Sequence, residues 1–225
     1  MILGDRLALQ LPAMRIEHLS ELLIYPVLGV ACGAVTVVLR AALRIASARL
    51  STLPIPPEAR TVVSGVFVGI LAAVGLPHVM GNGYALVEGI IGGSVVLGAG
   101  MLAVVLLAKI AATALAYGSR SGGGLFAPTL FLGAITGQLV GTGAHAVVPW
   151  LVPQTGMLAV VGMGAVAAAA AHAPVTFALM IAEMTGNYAI ILPLLIAIAI
   201  ATVIANAADR HSIYVQTLVD RGVRL

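Results

Sequence analysis

The chain has 225 residues, 61% of them hydrophobic and 8% charged, with a net charge of +3. Soluble domains carry about a quarter charged residues, so a water-soluble globular domain is excluded and a multi-pass integral membrane protein is indicated. The basic excess sits mostly near the ends and in one cluster, Arg40, Arg44, Arg49 and Arg60, which reads as a topology signal. No basic run of the length nucleic acid demands is present, so a nucleic-acid partner is not expected.

Residues 1–21 form a polar lead-in without the basic start and apolar core of a signal peptide. The membrane region is expected from 22 to 225. A first apolar segment runs from Leu22 to Leu43, and the prolines between Ser51 and Pro57 mark a loop. Thr61–Leu76 is apolar but short of the roughly 20 residues of a perpendicular span. Pro77–Tyr84 breaks the chain, and Ile90–Tyr117 reads as one long tilted crossing with Lys109 as its single charge.

Between Arg120 and Glu183 there is no Asp, Glu, Lys or Arg, and this stretch opens Ser121-Gly122-Gly123-Gly124-Leu125-Phe126-Ala127-Pro128. Leu125–Val148 follows, then a Pro149–Pro153 break containing the interfacial Trp150. Met157–Ala171 is rich in small residues and stops at His172-Ala173-Pro174. Val175–Ala182 leads to Glu183, a last apolar run ends at Ala208, and Ser212–Leu225 reads as a short terminal helix carrying Tyr214. Small residues four apart, Gly29/Gly33, Gly65/Gly69 and Gly133/Gly137/Gly141, are the spacing that lets helices approach closely in lipid.

The glycine run carries the functional reading. Non-helical backbone at membrane depth survives only where protein buries it or where it lines a polar cavity. A glycine turn entering a helix leaves several N–H groups unbonded at the positive end of the helix dipole, which makes an anion site out of main chain. Uneven segments interrupted by Gly and Pro are the pattern of transporters with discontinuous helices. No internal repeat is evident.

Gly118-Ser119-Arg120-Ser121-Gly122-Gly123-Gly124-Leu125-Phe126-Ala127-Pro128 resembles the GSGxxGGxFAP signature of the CLC family of chloride channels and proton/chloride antiporters. Leu132-Gly133-Ala134, Gly162-Met163-Gly164-Ala165, His172-Ala173-Pro174, Glu183-Met184-Thr185-Gly186-Asn187-Tyr188 and Leu192-Pro193 continue the likeness in family order. The resemblance implies an all-α integral membrane fold of tilted, broken helices, here the second half of an inverted repeat, in a bacterial inner membrane. It implies an anion held by the backbone at Gly124, Leu125 and Phe126 and by the Tyr214 hydroxyl, Glu183 on a helix at a homodimer interface, and a cytoplasmic C-terminus. Chloride is then the transported ligand, with no cofactor, no metal and no enzymatic activity expected. The chemistry agrees: conduction needs binding weak enough to release, so modest dipoles suit chloride better than a lysine at the site.

Two departures stand out. Arg120 occupies a position that is usually Gly in the family, and it reads either as a cation that steers anions or as an interfacial arginine reaching the headgroups. The family's GSGIP-like and GREGP-like loops are absent. The chain therefore looks like the second half of such a protein plus the last helix of the first, and alone it is expected not to conduct. The alternative is a non-conducting fragment or assembly subunit that dimerises without transport. Glu88 reads as a loop or interface residue, and His145 and His172 as packing or interfacial residues. Ser119 and Ser121 lack a neighbouring base for hydrolase chemistry.

Overall fold

The structure, a computed structural model, describes residues 19–54, 56–119, 123–151, 154–209 and 211–219. The lead-in up to residue 18 and the loop residues Arg120, Ser121 and Gly122 lie outside the described residues. Nine α-helices follow in the described chain: α1 (Ile24–Ser51), α2 (Pro57–Ala73), α3 (Tyr84–Ile91), α4 (Ala99–Gly118), α5 (Phe126–Val147), α6 (Thr155–Ala171), α7 (Pro174–Thr185), α8 (Ile191–Ala208) and α9 (Ile213–Val219). No strand occurs among the described residues.

Stretches within Glu21–Ser51, Ala99–Gly118, Phe126–Val147 and Tyr188–Gln216 are long and apolar enough to cross a membrane. Helices α6 and α7 are shorter and apolar. The expected single crossing from Ile90 to Tyr117 is instead two helices. Gly92 caps α3, and Gly93 turns the chain with a φ of 72°, a left-handed conformation that glycine adopts without steric cost. The first helix, conversely, runs through the arginine cluster to Ser51 instead of stopping at Leu43.

Helix α6 is the centre of the molecule. Every residue from Met157 to Ala170 is buried, as expected of a helix that is apolar all round. It lies against α5 so closely that a Cβ on Gly133 or Gly137 would run into the backbone of Gly162 or Leu158. Gly29 and Gly33 of α1 meet α8 at Ile200 and Ile204, where an added Cβ would stand 2.9 and 2.8 Å away. These contacts match the small-residue spacing. Gly65 and Gly69 on α2 do not: among the described residues no atom of another element lies within 4 Å of where their Cβ would be.

Arg40 is the largest departure from the sequence reading. It is 5% exposed, not a surface topology charge. From α1 its Nη1 donates to the carbonyls of Ala205 (3.0 Å) and Asp209 (3.1 Å), and its Nη2 to that of Ala169 (2.6 Å). Those oxygens belong to the C-terminal ends of α6 and α8, where unpaired carbonyls and the negative dipole end favour a cation.

Candidate anion site

The site begins where α4 ends. Gly118 packs so tightly on α1 that a Cβ would stand 2.8 Å from the Ala46 backbone. Ser119 is buried, its Oγ donates to the Ala116 carbonyl (2.9 Å) and lies 3.0 Å from Ser64 Oγ. Beyond the undescribed loop, Gly123 and Gly124 are exposed, and Leu125 caps α5 with its own side chain buried.

Helix α5 therefore starts at Phe126, with Pro128 inside its first turn. Proline there sacrifices an N–H that would have no intrahelical partner anyway. Thr129 N donates to the Leu125 carbonyl (3.1 Å), and Thr129 Oγ1 to that of Phe126 (2.7 Å). No described residue accepts from the N–H of Leu125 or Phe126, and the first turn carries no acidic side chain. The positive end of the α5 dipole is thus left without a carboxylate to neutralise it.

A cavity of about 170 Å³ opens beside this turn, and Gly123, Gly124, Leu125, Pro128, Lys109 and Thr113 are among the residues that line it. Lys109 is 2% exposed. Its Nζ donates to the carbonyls of Gly81 (2.7 Å) and Val79 (2.9 Å) and stands 4.8 Å from the centre of the Phe131 ring. The sequence reading disfavoured a lysine at the anion site; in the structure Lys109 lines the cavity beside the loop. The signal was present as a lone charge in an apolar span, but only the packing of α4 beside the Pro77–Gly83 turn and α5 brings it there.

The other expected residues are distributed around this centre. The Phe126 ring is half-exposed and lies 6.0 Å from the Phe177 ring of α7. Tyr214, on α9, is 48% exposed and lines neither this cavity nor the smaller one around Arg40 and Asp209. Glu183 is exposed in the last turn of α7. His145 is exposed; His172 ends α6 at a φ of 59°, and its Nε2 lies 2.6 Å from Arg40 Nη2. No cluster of metal-ligating side chains occurs among the described residues.

The family model described as voltage gated chloride channel matches residues 1–206. A ClcB-like protein of Ralstonia nicotianae is 40% identical over 198 residues, covering 88% of this chain and 46% of that protein. The H(+)/Cl(-) exchange transporter ClcA of Vibrio campbellii is 31% identical over 218 residues, 96% of this chain and 46% of its own length. Among solved structures, a slow cyanobacterial Cl-/H+ antiporter superposes with a TM-score of 0.83 at 30% identity, covering 96% of this chain and 50% of that one. The chain thus spans about half the length of the relatives it matches.

Proposed function

This chain belongs to the voltage gated chloride channel family, and on that premise we propose that it takes part in moving chloride across a bacterial inner membrane, within a channel or a proton/chloride exchanger. The observation that supports this reading most is the open start of α5. Two exposed glycines precede it, and the N–H groups of Leu125 and Phe126 have no acceptor among the described residues. These amides, with the backbone at Gly124, hold the anion, and the Tyr214 hydroxyl donates to it on the way to or from the cytoplasm. Such donors are dipoles of middling strength, which suits an ion that must also leave.

Gly124 and Phe126 are open in this chain. The opposite wall of the site comes from a segment equivalent to the part of the relatives this chain does not match, on the same polypeptide or another. Helices α7 and α8 leave Val175, Leu179, Leu192, Leu195 and Val203 exposed beside Glu183, and this apolar face pairs with a second copy. The test is chloride flux into liposomes. This chain alone gives none, and with the matching first half it gives chloride-selective flux that Tyr214→Phe alters. Flux from the chain alone, or none from the pair, rejects the reading.

A further inference from the structure

Lys109 is a buried ammonium without a carboxylate. Removing such a group from water costs several kcal/mol unless charge and hydrogen bonds replace the solvent. Two carbonyls, of Val79 and Gly81, and the face of Phe131 supply part of that replacement. An ammonium has three donors, so one remains without an acceptor among the described residues. Among the described residues the ion pairs are Arg44–Asp209 and His211–Asp209, and neither involves Lys109. A positive charge, a donor without an acceptor among the described residues and space therefore occur together: Lys109 lines the cavity of about 170 Å³ that Gly123, Gly124 and Leu125 also line.

We infer that this cavity is a second anion subsite, in which the third proton of Lys109 holds a monovalent anion of halide size. The inference rests on the anion-transport reading for its physiological ligand, chloride, but its geometry stands on Lys109. The subsite borders the glycine loop at Gly123, Gly124 and Leu125 and includes Val68 of α2 and Lys109 and Thr113 of α4 in its lining; it differs from the α5 amides in drawing its charge from a side chain. Val79 and Gly81 share the ammonium's charge and weaken its pull, so the anion exchanges instead of locking in place. An occupied subsite makes the Lys109 region electrically neutral and raises the local supply of anion next to the loop.

The experiment is crystallography of the chain in bromide, assembled with its first half where that is needed for crystals, with anomalous maps locating the ion. A peak beside Lys109 Nζ supports the inference, and Lys109→Met, which keeps the stem and removes the charge, then loses that peak while a peak at Leu125 and Phe126 remains. A peak at the loop and none beside Lys109 overturns the subsite and leaves the transport reading intact. A peak beside Lys109 and none at the loop does the reverse. Should Lys109→Met fail to fold, the wild-type map decides, and Lys109→Arg, which keeps the charge, retains the cavity peak.

Discussion

Arg40 and His172 are 132 positions apart in sequence and meet with Nη2 2.6 Å from Nε2. Arginine has no lone pair to offer, so the imidazole nitrogen accepts, and the ring is neutral with its proton on Nδ1. The same guanidinium binds carbonyls at the ends of α6 and α8. One side chain from α1 thus ties two helix C-termini and the turn into α7.

Replacing that side chain is therefore costly. Arg40→Met takes the guanidinium donor from the buried Ala169 carbonyl and one of two donors from that of Ala205, which keeps the Asp209 N–H, and the expected loss is about 2–4 kcal/mol. Thermal unfolding in detergent reads it as a marked drop in midpoint. Arg40→Lys recovers only part, because a single ammonium cannot span the same acceptors. A melting point unchanged in Arg40→Met removes the clamp from the account.

Acid weakens the same joint. His172 sits on the turn between α6 and α7, where burial first and the Arg40 charge next hold its imidazole below the ordinary histidine range. The unfolded chain then binds a proton more readily, near pH 6.5, than the folded one does. The stability His172 supports is complete above about pH 6.5 and is lost as pH falls toward the folded value. His172→Asn keeps an acceptor and tolerates the left-handed backbone, so its melting point changes less between pH 7 and pH 5 than the wild type's. Equal pH dependence in both proteins assigns the effect to other groups.

The glycines of α5 and α2 separate by context. Gly137→Ala drives a methyl into the Leu158 backbone on α6, and overpacking of this kind costs about 1–3 kcal/mol or more. Gly65→Ala meets nothing within 4 Å and gains helix propensity, an effect between zero and about 1 kcal/mol of stabilisation. Melting of the two variants side by side tests the α5–α6 contact directly.

A single amide can be deleted at the loop. Leu125→Pro removes one N–H, and the preceding Gly124 tolerates the restriction proline imposes. Leu125→Ala loses the same side-chain packing and keeps the donor. A charged hydrogen bond contributes about 1.5–3 kcal/mol, so bromide titration calorimetry on the assembled protein is expected to show at least roughly tenfold weaker binding in the proline variant than in the alanine one. Equal affinities argue against the amide at Leu125 as a ligand.

Composition and periodicity by themselves determined that this chain lives in a membrane, that its helices are interrupted, and that a helix begins after Gly124, because lipid forces each backbone group to be bonded or to line a cavity. The glycine spacing on α1 and α5 likewise foretold close helix contacts. Tertiary structure alone decided which glycines meet a partner, since Gly65 and Gly133 share a spacing pattern and differ only in what faces them. It also decided the fates of two cations. Arg40 and Lys109 look in sequence like a topology charge and a stray lysine, yet both are buried against carbonyls from distant segments. No local pattern encodes such an arrangement, because the acceptors are main-chain oxygens that every residue carries, and only the fold determines which of them are left unpaired.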